Sequence, residues 1–496
     1  MNVHCSFIVV IALLLHEVCS FVSFDVNSLS SGHRKRLWNK RSARGQREEF
    51  SGEKDYLTYL ESQAALPVGF KVGTSKLTFV PMENEELGEL PMALTVIKAD
   101  EPTTTFAGMF TRNQFPGGPI LVGRRRLAES AAMQVVVVNN KISNVCPGGV
   151  TDGGEGDSER VCCAIADMLQ VAPSTILPSS TGVIGWRLPV KELVEAVPVA
   201  VQALQNYSIL PAAVGICTTD RFPKIRRFDG MSKNGVPYSI VGIAKGAGMV
   251  EPNMATMLAY VVTDACMSRE DMDEALRVSV FSSFNSISVD GDQSTSDTVF
   301  GMSSNHVTDV NLDEFRAGLK EVCTGLALDI VRNGEGTQHV IRIAVTGAPS
   351  DLFARDLGRF VANGNLLKCA LAGSDPNVGR IIGGIGSFLG GPMCKLSETE
   401  VGMLTKGLVL TLGGVEIFSK GQFQLDTIKE RQLSDYMAAA TLYNEDLPEV
   451  ERRYPANART VDLDIKLSGA LGNGAAVVIG SDLTQEYVEI NADYRS

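Results

Sequence analysis

The residue types best placed to do chemistry lie in one stretch, GIAKGAGMVEPNMATML, which begins at Gly242. Lys245 precedes a glycine-rich bend, Gly246-Ala247-Gly248. Pro252 and Asn253 make a second bend. The small pair Ala255–Thr256 comes next, and Met257, Leu258, Tyr260, Val261 and Val262 then read as a strand. A threonine at a bend-to-strand junction can have its hydroxyl pinned and the peptide before it strained. A plain turn feeding a strand has the same composition, and these facts alone favour it.

The supply of other reactive groups narrows the chemistry. Of the five histidines, His4, His16 and His33 fall in an N-terminal extension, which leaves His306 and His339 for the body. That stock disfavours Ser–His nucleophilic chemistry and His-rich zinc sites. The ten cysteines are scattered without a C-x-x-C or a disulfide framework. Cys162–Cys163, on an expected helix, reads as core packing. Asp290 and Asp292 in VDGD read as a turn rather than a cation site, so no metal is expected. Gly383, Gly384 and Gly386 do not complete a dinucleotide fingerprint, because Leu389 stands where its last glycine belongs. No G-x-x-x-x-G-K-[ST] phosphate loop occurs.

The elements that must position such a site mix strands and helices throughout. MQVVVVNN (133–140) reads as a buried strand, and TVDLDIKLSG (460–469) alternates with Val461, Leu463, Ile465 and Leu467 on one face. Helical spacing appears over 158–170, 268–281, 312–332 and 351–362. Ser268 with Asp271 makes a capping pattern, and Asn333–Gly334 stops the helix at 312–332. The class is mixed α/β or α+β, and spacing alone does not choose between them.

With 496 residues, 44% hydrophobic and 21% charged, the chain has room for two or three globular domains. A net charge of −12 disfavours a nucleic-acid partner. Residues 7–15, FIVVIALLL, suit a secretory signal core and are too short to span a membrane. Residues 21–47 hold seven Lys/Arg against one acid, with serines interspersed, which is transit-peptide composition. A signal peptide followed by Phe21 and such a stretch resembles the two-part presequence of algae with complex plastids. Delivery to the plastid stroma is expected, with the secretory pathway or the mitochondrion as alternatives. No later segment reaches eighteen uninterrupted apolar residues, so no membrane partner is expected.

GIAKGAGMVEPNMATML resembles the signature of the ornithine acetyltransferase family, enzymes of arginine biosynthesis that cut themselves before a threonine. SSTGVIGWRLP (179–189), TTDRFPK (218–224), SFNSISVDGDQSTSDT (283–298), IVRNGEG (330–336), DPNVGRI (375–381) and INADYRS (490–496) match the family in the same order. Each string is weak alone; together they are very specific and cover the body from about residue 65.

The resemblance implies a layered α-β-β-α fold of the N-terminal-nucleophile kind and cleavage between Ala255 and Thr256. Together with the presequence it divides the chain into a signal peptide (1–20), a transit-like segment and linker (21–60), an α chain (61–255) and a β chain (256–496). Thr256 would then be the nucleophile, with its own freed α-amine as base; such an amine has a reference pKa of roughly 7.7–8.0. Thr181 and Gly182 match the family's oxyanion pair, and Lys245 its active-site lysine. Thr218, Lys245, Thr256, Glu335, Asn491 and Ser496 match its substrate contacts. The implied reaction moves acetyl from N2-acetylornithine to glutamate through acetyl-Thr256. No cofactor is implied, and acetyl-CoA is a second acetyl source in some members. The implied partners are amino-acid substrates and the protein's own cleaved halves, two α and two β chains in a heterotetramer.

The chain departs from the pattern in places. NNKISNVCPGG (139–149) stands where most members carry a motif close to NSGNANACTG, so a loop near the family's acyl site loses small residues and gains Lys141. Val378 replaces a usual tryptophan, and His339 a usual lysine. A divergent paralogue with altered substrate therefore stands beside the main reading. So do an N-terminal-nucleophile amidohydrolase or aminopeptidase, which would pass the acyl group to water, and a non-catalytic binding protein.

Overall fold

The structure, a computed structural model, describes residues 50, 52–251, 257–443, 454 and 458–492. Residues Glu48–Ser496 form one compact unit. The expected signal and transit segments at 1–47 lie outside the described residues, as do Ala255, Thr256 and Ser496. Helix α1 (Glu53–Gln63) crosses the expected linker boundary at 60/61. It buries Tyr56 and Leu60 in a core of the body, so the folded part begins earlier than residue 61.

The valine run forms β4 (Met133–Asn139), buried along its whole length. It can be apolar on both faces because both are covered. Its sheet has the order β1-β2-β4-β5, with β1 Phe70–Phe79, β2 Leu90–Thr103 and β5 Ile176–Ser180. One face of the sheet carries Val96, Val135 and Val137 against helices α2 (Glu155–Leu169) and α3 (Val190–Gln202), through Ile165, Leu193 and Val197. The other face carries Val72, Ile97, Val136 and Leu177 and meets a second sheet. Burying each such aliphatic side chain is worth on the order of 1.5–3 kcal/mol.

That second sheet has the order β3-β10-β8-β7-β6. Its strands are β3 Phe106–Phe110, β6 Lys224–Met231, β7 Pro237–Lys245, β8 Leu258–Ala265 and β10 Thr298–Val307. Val241, Ile243, Tyr260 and Phe300 point to the first sheet. Ile240, Val261 and Val299 point away, against α4 (Arg269–Ser282) and α5 (Leu312–Arg332) through Leu276, Val280, Leu319, Val322 and Leu326. The succession is helices, sheet, sheet, helices, which is the α-β-β-α layering the family resemblance implied.

A third sheet holds β9 (Ile287–Ser288), β11 (Val340–Ala348), β12 (Val409–Leu412), β13 (Val415–Ser419), β14 (Gln422–Phe423), β15 (Val461–Lys466) and β16 (Gly474–Ser481). Their order is β14-β13-β12-β15-β11-β16-β9. The alternation in β15 buries Val461, Leu463 and Ile465 against α6 (Asp351–Ala362) and α7 (Val378–Leu389). The expected caps form as well. Ser268 accepts from the Asp271 N–H at the start of α4, and Asn333 closes α5. Cys162 is buried in a core and Cys163 is exposed, so only the first serves packing. Among the described residues no helix is long and apolar enough to cross a membrane.

A buried ion pair locks three of these elements together. Arg226 on β6 holds Asp329 on α5 through two bonds of 2.6 Å and donates to the Tyr59 hydroxyl of α1 at 2.7 Å. Arg332 lies 3.6 Å from the same carboxylate. Removing one partner of such a cluster strands charge in a poorly solvated place. Asp329→Ala is therefore expected to lower stability by about 3–5 kcal/mol, read as a fall in the urea unfolding midpoint.

Candidate active site

Thr181 follows directly on β5 of the first sheet, and Lys245 ends β7 of the second. Where these strand ends face one another, Lys245 Nζ donates to Thr181 Oγ1 at 3.0 Å, and both residues are buried. An ammonium has donors only, so it occupies a lone pair of the threonine oxygen and leaves the hydroxyl hydrogen to donate elsewhere. Burial pushes the Lys245 pKa below that of an ordinary lysine, and the Asp220 carboxylate opposes the shift. Lys245 is in register with Leu258, the first residue of β8 and two positions after Thr256 in sequence.

Gly182 can only be glycine here. Its φ is +131°, and a Cβ would sit 2.1 Å from the carbonyl of Lys141. The next residue, Val183, donates its N–H to that carbonyl at 2.9 Å. The pair Thr181–Gly182 is thus pinned on one side by Lys245 and on the other by the 139–149 loop.

Asp220 sets the floor of the site. Its side chain is 0% exposed. It accepts from the Lys224 ammonium, the Gly246 N–H at 2.9 Å, the Thr218 N–H at 3.0 Å and, more weakly, the Asn333 amide at 3.4 Å. Burial raises the pKa of this carboxyl, but Lys224, Lys245 and the Gly246 N–H outweigh it and settle it at about 2. Asn333, just past α5, also accepts from the Arg221 and Phe222 N–H groups and so holds the 218–222 turn.

A second group of side chains gathers around Glu335. Its carboxylate accepts from the Thr219 hydroxyl at 2.7 Å and from the Asn491 amide at 2.9 Å. Its own N–H donates to Ala247, and Gly248 lies so close that a Cβ would reach 2.3 Å from its oxygen. Asn491 ends α8 (Gln485–Asn491), and Glu335 follows α5, so two distant parts of the chain meet here. The glycine bend 246–248 joins this group to Lys245.

The structure thus brings Thr181, Gly182 and Lys245 into one cluster and Glu335 and Asn491 into another. Thr218 lies in the turn between them, where it contributes its N–H; the hydroxyl on Glu335 is that of Thr219. Asp290 accepts the N–H groups of Met249 and Val250 at 2.7 and 2.8 Å, so VDGD is a turn that fastens the segment after the glycine bend. His339 is buried between Asp482 and Thr441, a tie within the fold. Among the described residues no group of His, Cys, Asp and Glu could hold a metal ion. Asp220 and Thr219 were not singled out from sequence, although TTDRFPK contains them, and Asn333 was read only as a helix stop. Asp297 was not singled out either. It is 1% exposed, and among the described residues neither carboxylate oxygen has a hydrogen-bond partner of ordinary geometry. Burial raises its pKa well above the usual range, with the Thr111 and Ser294 hydroxyls and the Met257 N–H near enough only to temper the shift.

The low pKa of Asp220 makes the site acid-sensitive in a stated window. Its folded value lies below the ordinary carboxylate value, so its contribution is complete above about pH 4 and is lost as pH falls toward 2. Thermal midpoints measured from pH 5 to pH 2 are expected to drop steeply for the native protein. They are expected to drop less for Asp220→Asn, which is less stable at pH 5 because Lys224 loses its counter-ion.

The model of the ArgJ family matches residues 87–496. The arginine biosynthesis bifunctional protein ArgJ of Nitratidesulfovibrio vulgaris is 33% identical over 440 residues, covering 87% of this chain and 100% of that protein. The protein of the same name from Gluconobacter oxydans is 38% identical over 403 residues, covering 80% and 86%. The solved ornithine acetyltransferase of Mycobacterium tuberculosis, complexed with ornithine, is 27% identical. It covers 39% of this chain and 97% of its own, with a TM-score of 0.32. The family resemblance carried by the motifs is borne out: the chain belongs to the ArgJ family.

Proposed function

We propose that this protein is a self-cleaving acetyltransferase of arginine biosynthesis that moves acetyl from N2-acetylornithine to glutamate. The observation that carries the reading is the Lys245–Thr181 hydrogen bond beside the strained Gly182, at the strand ends level with the start of β8. This is a hydroxyl and a backbone turn positioned in a buried place, the kind of environment that stabilises an oxyanion. Relatives over most of the chain carry the name arginine biosynthesis bifunctional protein.

In this reading the Thr256 hydroxyl attacks the Ala255 carbonyl, the peptide nitrogen leaves as the α-amine of Thr256, and water hydrolyses the resulting ester. The freed amine then takes the hydroxyl proton as Thr256 attacks the acetyl group of the donor. Ornithine leaves with that proton. The glutamate amine attacks the acetyl-Thr256 ester and departs as N-acetylglutamate. Glu335 suits the cationic side chain of ornithine. The reading uses no metal or organic cofactor; acetyl-CoA is a second acetyl donor to be tried. The cleaved halves pair into a heterotetramer of two α and two β chains.

Intact-mass analysis of residues 48–496, the compact unit, tests this. Two fragments meeting at Ala255–Thr256 are expected, with none from Thr256→Ala. N-acetylornithine should add one acetyl group to the fragment that starts at Thr256. An unbroken chain rejects the proposal, and acetate released without glutamate points to a hydrolase instead.

We also propose delivery to the plastid through residues 1–47. A fluorescent protein fused behind them is expected in the plastid of an alga with complex plastids; fluorescence in the secretory pathway rejects this.

A further inference from the structure

Four cations sit on segments that meet at the site, and three have partners. Lys224 bonds Asp220, Arg221 bonds Glu486, and Lys245 donates to Thr181. The fourth is Lys141. Among the described residues its ammonium has no hydrogen-bond or ion-pair partner. Burial alone lowers its pKa, with no carboxylate to oppose the shift. A half-buried ammonium without a counter-ion is costly, and the cost calls for an anion that comes and goes.

Its position is fixed by the oxyanion turn itself. The Lys141 carbonyl occupies the space a side chain at Gly182 would need and accepts the Val183 N–H. Its neighbour Ile142 bridges to both Thr181 and Val183. The loop is tied down on every side. Asn139 donates to Ile142 at 2.9 Å, Asn140 to Cys217 at 2.9 Å, Ser143 to Val183 at 2.7 Å and Asn144 to Gly154 at 2.8 Å. Lys141 also holds a left-handed backbone with φ of +72°, followed by Asn144 at +56° and Cys146 at +46°. A lysine in a conformation glycine would adopt without strain is maintained by its surroundings, as strain at functional positions is.

We infer that Lys141 recognises the side-chain carboxylate of the acceptor amino acid, which makes it the residue that selects glutamate. This rests on the acetyltransferase reading above. A two-step transfer admits a donor with a distal cation and then an acceptor with a distal anion to the same acyl group. Glu335 suits the first but already accepts from Thr219 and Asn491. The second needs a cation, and Lys141 is one whose ammonium has no partner among the described residues. It also repels the cation of ornithine once the acetyl group has been taken, which favours exchange of product for acceptor.

Steady-state kinetics on the purified protein with Lys141→Gln, Lys141→Gly and Lys141→Arg separate the roles. In the Gln and Gly variants the KM for glutamate is expected to rise about tenfold or more, the loss of a charge-assisted hydrogen bond. The KM for N-acetylornithine should move less than twofold. The preference for glutamate over glutamine should collapse in Gln and Gly and return in part in Arg. Lys141→Gly keeps the test sound if glutamine distorts the loop, since glycine relaxes the backbone there. Formation of the acetylated fragment from N-acetylornithine reports that each variant is folded and cleaved. An acetylated fragment with an unchanged glutamate KM overturns the role of Lys141 and leaves the acetyltransferase intact. Equal rises for both substrates assign the lysine to the α-carboxylate they share and overturn it as well. No acetylated fragment in the native protein rejects the acetyltransferase and this inference together.

Discussion

A carboxylate sealed from water must be answered by charge and by donors, and the site depends on how Asp220 is answered. Its oxygens collect Lys224, the Gly246 N–H, the Thr218 N–H and the amide of Asn333. Each partner belongs to a different part of the fold: β6, the glycine bend after β7, the 218–222 turn and the end of α5. One buried charge therefore fixes the mutual position of four segments. Its field also acts on Lys245, offsetting part of the cost of burying that ammonium. Without it the lysine would lose the largest of the fields that favour its charged form.

The two stacked sheets supply the rest of the geometry. Thr181 leaves one and Lys245 leaves the other, so their contact exists only because the sheets are packed face to face. The packing is set by Val136, Leu177, Ile243 and Tyr260 in the shared core. A shift of one residue in β7 would turn Lys245 to the helix-covered face and replace it with a neighbour of the wrong chemistry. The hydrophobic pattern of the strands thus serves as the register mark for a polar contact at their ends.

Much of this was legible in advance. Helix α5 begins and ends where its periodicity and Asn333 place it, because apolar spacing and a stop signal are local properties. The valine run and the alternation at 461–467 were equally local. Thr181, Gly182, Lys245, Glu335 and Asn491 were visible only through resemblance, since a lone Lys, Glu or Asn carries no signature of its own. Asp220 and Thr219 lie inside TTDRFPK, but nothing in that string says which of its polar groups turns inward.

Sequence by itself determined the elements, their caps, the small histidine supply and the family, because these depend on neighbours within a few residues or on many matched positions read together. Tertiary structure decided which charges are buried, which are paired and which is left without a partner. Those properties arise when residues far apart in the chain, such as Lys141 and Val183, Thr219 and Glu335, or Arg221 and Glu486 at a separation of 265, are brought within bonding distance. Burial and pairing are relations between distant segments, and only packing creates them.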